Sequence, residues 1–126
     1  MNWGIMEIMK NTTQIGNQAE TLACKYLESK RYKIVERNYK DRFCEIDIIA
    51  ADKQYVCLVE VKYRKNNIFG GGFDAIDNNK QKRLIRAFLV WLSNNSEYQE
   101  YQPRIDVIVA DEAGNIEHLQ NAIEAS

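Results

Sequence analysis

The chain has 126 residues, of which 45% are hydrophobic and 28% are charged. This length and balance predict one folded domain with a single core, and they exclude a disordered chain. The longest apolar run, residues 55–59, is far shorter than the roughly 20 residues that cross a bilayer, so no transmembrane helix is expected.

The N-terminus and the cysteines bear on the compartment. Residues 1–9 are mildly apolar but lack the cationic start and the small-residue cleavage site of a secretory signal. Cys24, Cys44 and Cys57 are widely spaced, and the chain has one histidine, His118. This pattern favours free thiols in a reducing cytoplasm over a zinc site or a disulfide framework. We therefore expect a cytoplasmic protein.

The net charge of −1 hides an uneven distribution. Residues 21–90 hold 15 Lys and Arg against 9 Asp and Glu, a local charge of +6, whereas residues 91–126 hold 1 against 7, a local charge of −6. A basic half is typical of proteins that bind nucleic acid, because Lys and Arg neutralise phosphates. Ordinary solvated helix and turn surface explains the same charges equally well.

Hydrophobic periodicity predicts the element order α-β-β-β-α-β-β, which is typical of an α/β or α+β domain with helices packed on a mixed sheet. The predicted helices cover residues 16–30, begun by Thr12 or Thr13, and residues 75 or 77 to 93, capped by Asp77. The predicted strands cover residues 32–38, 43–51, 55–63, 104–110 and 116–120.

These elements define the predicted domain organisation. We expect an N-terminal arm over residues 1–14, a domain over residues 15–120 and a tail over residues 121–126. The inner face of the second helix is expected to consist of Ile76, Leu84, Ile85, Phe88, Leu89 and Leu92. Gly70, Gly71 and Gly72 predict a flexible connection before that helix, long enough to form a loop beside a site.

The third strand carries charged residues inside the most apolar segment of the chain. Glu60 and Lys62 are two residues apart, so they project from the same face of the strand. If the second and third strands form a hairpin through Asp52 and Lys53, Asp47 lies near Glu60 across the ladder. Two carboxylates in a buried setting repel unless one is protonated or a cation lies between them.

This arrangement predicts a site for Mg²⁺ or Mn²⁺, because Mg²⁺ takes one or two carboxylates, keeps several waters and accepts phosphate oxygens. Lys62 beside such an ion could stabilise phosphoryl charge or orient an attacking water. The alternative is a structural ion-pair cluster in which Lys62 and Arg64 neutralise Asp47 and Glu60.

Several motifs in order resemble the YraN-like family of uncharacterised bacterial proteins, over about residues 15–119. They are Gly16-x-x-x-Glu20, Glu45-Ile46-Asp47-Ile48-Ile49-Ala50, Leu58-Val59-Glu60-Val61-Lys62-x-Arg64, Lys80 and Arg104-Ile105-Asp106-Val107. That family is assigned to the restriction-endonuclease-like PD-(D/E)xK nuclease superfamily, and it is similar to archaeal Holliday-junction resolvases.

The resemblance implies a catalytic and metal site of Asp47, Glu60 and Lys62, with Glu20 as an additional ligand or water holder. It makes Arg64 and Lys80 candidates for phosphate contacts, for which plain surface charge is the alternative. Arg104 and Asp106 match a late motif of the family, but a strand-edge ion pair is the favoured explanation of these two residues.

One position departs from the family pattern. Cys44 stands where the family usually has glycine, and a side chain at that turn could shift the approach to Asp47. The resemblance therefore supports the fold more firmly than it supports activity.

Two functional hypotheses follow. The first is a metal-dependent endonuclease that acts on DNA, including branched or damaged DNA. The second is a catalytically weak or inactive module that keeps the nuclease fold and binds nucleic acid or a protein. Many enzymes of this fold pair to cut two strands, but the sequence indicates no homodimer face and no membrane contact.

Overall fold

The computed structural model describes residues 3–65 and 76–123, with side chains from Ile15 onward. Its elements are α1 (Trp3–Ser29), β1 (Lys33–Lys40), β2 (Glu45–Ala51), β3 (Tyr55–Arg64), α2 (Asn78–Asn94), a 3-10 turn (Ser96–Tyr98), β4 (Gln102–Asp111) and β5 (Ile116–Leu119). This order confirms the predicted α-β-β-β-α-β-β arrangement. The predicted loop at Gly70–Gly72 lies outside the described residues.

The five strands form one mixed sheet in the order β1-β2-β3-β4-β5. Strands β3 and β4 are parallel, and the other neighbouring pairs are antiparallel. A parallel pair needs a crossover connection, and α2 lies in that connection. The two helices pack on opposite faces of the sheet. The protein is therefore a mixed α+β domain, consistent with the predicted nuclease-like α/β fold.

The β2–β3 hairpin confirms the predicted turn at Asp52 and Lys53. The side-chain Oδ1 of Asp52 accepts hydrogen bonds from the backbone N–H groups of Gln54 and Tyr55, at 2.8 and 2.7 Å. Asp and Asn commonly hold turns in this way. The hairpin sets the register that places Ile48 opposite Val59.

Helix α1 is longer than the sequence pattern predicted. It begins at Trp3, so the predicted start after a cap at Thr12 or Thr13 is wrong. The apolar period of three and four residues in fact extends toward the N-terminus through Ile5, Ile8, Met9 and Ile15.

No helix among the described residues has both the length and the apolar character needed to cross a bilayer.

Helix α2 begins as predicted, because Oδ1 of Asp77 accepts a hydrogen bond from the Lys80 N–H at 2.9 Å. Its predicted inner face is partly wrong. Leu89 is 58% exposed, whereas Trp91 is 1% exposed and donates from Nε1 to Glu36 Oε1 at 2.9 Å. Each residue turns a helix by about 100°, so Leu89 cannot share the buried direction of Leu84 and Trp91.

A buried polar network links β4 to β5 and to Tyr32, which lies between α1 and β1. Arg104 and Asp106 form a bidentate ion pair with both distances at 2.9 Å. Arg104 also donates to the Tyr32 hydroxyl at 2.6 Å, and His118 Nε2 lies 2.7 Å from Asp106 Oδ2. Because β4 lies between β3 and β5 and Asp106 is fully buried, the expectation of a strand-edge pair is wrong.

The segment after β5 completes this network. The Asn121 N–H donates to Asp106 Oδ1 at 2.9 Å, the Ala122 N–H donates to the Ile105 carbonyl at 2.8 Å, and Ile123 is buried in the core. The packed body therefore extends to Ile123. Burial alone would raise the pKa of Asp106, but the hydrogen bonds from His118, Arg104 and Asn121 lower it.

We predict that Arg104→Leu lowers the free energy of unfolding by about 3–5 kcal/mol, because it leaves the Asp106 carboxylate buried without its main partner. Leu89→Ala should cost less than about 1 kcal/mol, since Leu89 is largely exposed. Urea denaturation at pH 7 measures both changes. Equal costs for the two variants would contradict the assigned role of Arg104.

The lowered pKa of Asp106 also predicts an acid limit to stability. A carboxyl whose pKa is lower in the folded state stabilises the protein above its unfolded pKa, and that contribution is lost as the pH falls through the folded pKa. We expect the difference in unfolding free energy between the wild type and Asp106→Asn to shrink as the pH is lowered below about 4. A difference that stays constant down to pH 2 would contradict this assignment.

Candidate functional site

The candidate site lies where β2 and β3 separate. Their ladder runs from Ala51 opposite Val56 to Ile48 opposite Val59, and both strands continue beyond it. Extending the same register would place Asp47 opposite Glu60. At this point Asp47 Oδ2 accepts a hydrogen bond from the Val61 N–H at 2.8 Å. Where the two strands diverge, the Asp47 carboxylate thus takes the place of a backbone carbonyl as the acceptor for the Val61 N–H.

The separation opens a pocket of about 410 Å³. Five elements contribute polar side chains to it. These side chains are Asn17 and Glu20 from α1, Asn38 from β1, Glu45 and Asp47 from β2 with Cys44 just before it, Glu60 from β3 and Lys80 from α2. The pocket therefore brings together four of the six residues predicted from sequence, namely Glu20, Asp47, Glu60 and Lys80.

Asp47 and Glu60 form a close, largely buried carboxylate pair. Burial, followed by the charge of Glu60, raises the pKa of Asp47 to about 7. Glu60 is 6% exposed, and its Oε2 has no hydrogen-bond partner. An unpartnered oxygen on a buried carboxylate is costly, and it marks a position where a cation or a donor would be favourable.

Lys80 provides one such cation. Its Nζ lies 3.2 Å from Glu60 Oε1 and forms an ion pair with it. Although burial lowers the pKa of Lys80, the carboxylate of Glu60 raises it, and the net direction is upward. The capping bond from Lys80 N–H to Asp77 fixes the first turn of α2, so the helix start positions this lysine over β3.

Glu20 reaches the pocket from α1 but stands apart from the pair. Burial, followed by the charge of Asp47, raises its pKa, although Arg37 opposes the rise from 3.7 Å away. Its Oε1 has no hydrogen-bond partner. Within residues 15–65 and 76–123, no three His, Cys, Asp or Glu side chains are grouped closely enough to hold a metal ion. Glu20 therefore does not join Asp47 and Glu60 in a ready-made three-ligand set.

The other predicted residues lie on β3 beyond Glu60. Lys62 is half-buried and follows Glu60 by two positions, so it projects from the same face of the strand. Arg64 is paired in register with Asp111 of β4, whose pKa is lowered first by hydrogen bonds from Asn115 and also by the charge of Arg64. Lys62, Arg64 and Asp111 do not line the pocket. The structure thus places Arg64 away from the carboxylates.

Cys44 lines the pocket at the position where the resemblance led us to expect glycine. Burial, followed by the charge of Glu60, raises the pKa of its thiol, so the neutral form is favoured. The side chain forms part of the pocket wall without supplying an anion. Cys24 and Cys57 are buried, and all three cysteines are free, as predicted.

The donor set fits a hard divalent cation. Mg²⁺ binds through oxygen, uses one or two protein carboxylates and keeps several waters, which the pocket has room to hold. Asp47 and Glu60 supply the oxygens, and Glu60 Oε2 has no hydrogen-bond partner to give up. A hydrated cation would also relieve the repulsion that raises the Asp47 pKa.

A mixed α+β domain with a carboxylate pocket at a strand separation is the class that the fold and the site define. The chain belongs to the uncharacterised protein family UPF0102, whose model matches residues 19–110. This membership confirms the resemblance inferred from the motifs. Because the family is uncharacterised, its name supplies no activity.

Similar proteins cover most of the chain. It is 41% identical over 111 residues to a UPF0102 protein of Vibrio parahaemolyticus. The matched region covers 87% of this chain and 92% of that protein. A UPF0102 protein of Francisella tularensis subsp. novicida is 39% identical over 112 residues, with 88% and 95% covered. One from Fusobacterium nucleatum subsp. nucleatum is 41% identical over 96 residues, with 76% and 80% covered.

We predict that Asp47→Asn stabilises the metal-free protein at pH 8 by about 1–3 kcal/mol. A carboxyl whose folded pKa is raised destabilises the protein as the pH climbs from its unfolded pKa toward its folded value near 7. The amide of asparagine keeps an acceptor for the Val61 N–H. The gain should therefore vanish below about pH 4, where aspartate is protonated in both states.

Chemical denaturation in EDTA at pH 4, 6 and 8 measures this dependence, with Glu97→Gln as an exposed control. A stabilisation that is the same at all three pH values would contradict the carboxylate pair.

Proposed function

We propose that this protein is a metal-dependent endonuclease that hydrolyses phosphodiester bonds of DNA. The observation that supports it most directly is the buried Asp47–Glu60 pair, which faces an open pocket with one carboxylate oxygen unpartnered. Such a pair is expensive in a purely structural role, because burial and like charge both oppose ionisation. Perturbed carboxylates in a cleft favour a functional role.

In this proposal Asp47 and Glu60 hold one Mg²⁺ or Mn²⁺ ion, and Glu20 orients water from the opposite wall of the pocket. The bound ion supplies Lewis acidity toward a phosphoryl oxygen. Asp47 keeps its hydrogen bond to the Val61 N–H, which fixes the direction of its second oxygen. The chain thus pre-orients the ligands before the substrate arrives.

The two lysines have different tasks in the reaction. Lys62, on the same strand face as Glu60, orients the attacking water, which releases a proton to solvent as the new P–O bond forms, and it stabilises charge on the phosphoryl oxygens. Lys80 exchanges its contact with Glu60 for a contact with a substrate phosphate, since the ammonium can serve either anion. The bond from phosphorus to the leaving oxygen then breaks, and that oxygen takes a proton from solvent.

The resemblance to Holliday-junction resolvases makes branched or damaged DNA the first substrate class to test. The mild excess of basic residues in residues 21–90 fits a polyanionic substrate. A homodimer and a cytoplasmic location remain parts of the proposal that rest on the resemblance and on the cysteine pattern.

A binding module without efficient chemistry is the second candidate function. The Lys80–Glu60 ion pair favours it, because a lysine already neutralises Glu60 without any metal ion. Under this hypothesis the pocket is a structural polar cluster, and nucleic acid or a protein binds the outer surface.

We predict that Mn²⁺ binds the wild type with a stoichiometry of one and that Asp47→Asn and Glu60→Gln each lose this binding. The same two variants should lose metal-dependent cutting of branched DNA, because one carboxylate alone holds a hydrated ion weakly. Isothermal titration followed by gel analysis of labelled four-way junctions and linear duplexes measures both properties. Glu97→Gln, on the exposed 3-10 turn, is the matched control.

Two results decide between the hypotheses. Cutting that survives both carboxylate substitutions would sink the nuclease proposal. Absence of metal binding to the wild type, even with DNA present, would make the cluster structural and favour the binding module.

We further predict that Lys62→Met retains Mn²⁺ binding and loses at least about a hundredfold in the rate of cutting, the usual contribution of a positioned acid, base or charge. Lys53→Met in the β2–β3 turn is the control of equal charge change. Single-turnover rates at saturating metal measure the effect, and a loss shared by both variants would show that net charge, not position, controls the rate.

A further inference from the structure

A second group of charged side chains borders the pocket on the side of α2. Two guanidinium groups lie over the ring of Phe43, with Arg42 Cζ 5.1 Å and Arg86 Cζ 4.6 Å from its centroid. Both arginines are exposed, whereas Phe43 is partly buried and packs against the core. Cation–π attraction holds each guanidinium near the ring. The two charges are thus anchored to the body of the protein.

Helix α2 connects this pair of arginines to the pocket. Lys80, Arg83 and Arg86 recur every third residue, so they lie on neighbouring positions of one helix side and rise by about 4.5 Å at each step. Lys80 lines the pocket, and Arg83 together with Lys80 opposes the rise in the Cys44 pKa, which places both cations near that thiol. Positively charged side chains therefore form a continuous row along α2 from the pocket to Phe43.

The acidic residues of the adjoining turn leave this charge largely uncompensated. Asp41 Oδ1 accepts from the Phe43 and Cys44 N–H groups, at 2.7 and 3.1 Å, and so serves the turn itself. Glu45 faces Lys40 at 4.0 Å. Within residues 15–65 and 76–123, no carboxylate oxygen lies within 4.0 Å of the guanidinium groups of Arg42, Arg83 and Arg86, which keeps their charge available to an external anion.

We propose that Arg42, Arg83 and Arg86, the arginine strip, bind the phosphates of a nucleic-acid strand as it leaves the pocket. Guanidinium groups suit this task because they donate in a planar fork that matches phosphate oxygens. The strip deepens the proposed function and rests on it in one respect, since the pocket defines where the strand begins. The strip also defines the path of the nucleic-acid strand over the surface, from Lys80 along α2 toward Phe43.

The test measures the salt dependence of DNA binding by fluorescence anisotropy, with the full chain in EDTA so that no cutting occurs. A labelled single strand and a four-way junction are the probes. Arg83→Gln and Arg86→Gln should each reduce the slope of log K against log salt by about 1. With equal affinities at 1 M salt as the reference, this corresponds at 0.1 M salt to a loss of affinity of roughly tenfold relative to the wild type.

Lys53→Gln is the matched control, because it removes the same charge at the far turn of the β2–β3 hairpin. It should leave the affinity within about twofold of the wild type. Phe43→Leu provides a second test, since it keeps an apolar side chain and every charge while removing the ring that anchors Arg42 and Arg86. We expect it to weaken binding with little change in the slope.

The outcomes separate this inference from the proposed function. Smaller slopes for both arginine variants, with Lys53→Gln unchanged, support the strip even if the wild type never cuts DNA. Unchanged slopes in both variants, or an equal fall in Lys53→Gln, would overturn the strip even if the wild type cuts. Thermal unfolding of each variant shows whether a loss of DNA affinity reflects misfolding. If Phe43→Leu binds DNA with wild-type affinity, the ring of Phe43 does not anchor the arginines for binding.

Discussion

The hydrogen bond from the Val61 N–H to Asp47 Oδ2 is the contact on which the site depends. A backbone donor in the middle of a sheet must find an acceptor. At this point in the hairpin the acceptor is a side chain, which allows β2 and β3 to diverge while the donor stays satisfied. The divergence creates the pocket, and the same bond holds the Asp47 carboxylate in the pocket wall. Fold and site therefore share a single cause.

The surrounding elements make this opening tolerable and also useful. Strand β3 is paired with β4 along its whole length, from Tyr55 opposite Gln102 to Arg64 opposite Asp111, so it remains rigid after β2 departs. Helix α2 brings Lys80 to Glu60, and α1 closes another wall with Glu20. Charges that would be costly alone are thus placed around a volume that water, a cation or a phosphate can enter.

The opposite face of the sheet shows how the same residue types behave in a structural role. Asp106 is fully buried, like a catalytic carboxylate, yet Arg104, His118 and the Asn121 N–H satisfy its oxygens and lower its pKa. Asp47 and Glu60 have fewer partners, and the pKa of Asp47 moves in the other direction. The two clusters therefore differ in how fully their carboxylates are satisfied by hydrogen-bond donors and cations.

Much of this arrangement was predictable because it depends on local pattern. Alternation and the Asp52 turn fix the β2–β3 hairpin, and the hairpin register places Asp47 near Glu60. The ion pair of Glu60 with Lys80 and the burial of Asp106 were not predictable, since each depends on how distant elements pack. The error at Leu89 has a local origin, because an apolar residue next to a buried stripe need not belong to it.

We propose that Asp47 and Glu60 form a cation site at the separation of β2 and β3. Crystals soaked in Mn²⁺ and measured for anomalous scattering test it most directly. We expect one strong peak with carboxylate oxygens of both residues within about 2.3 Å, a distance typical of hard divalent cations bound to oxygen. A peak elsewhere, or none at this position at millimolar Mn²⁺, would contradict it.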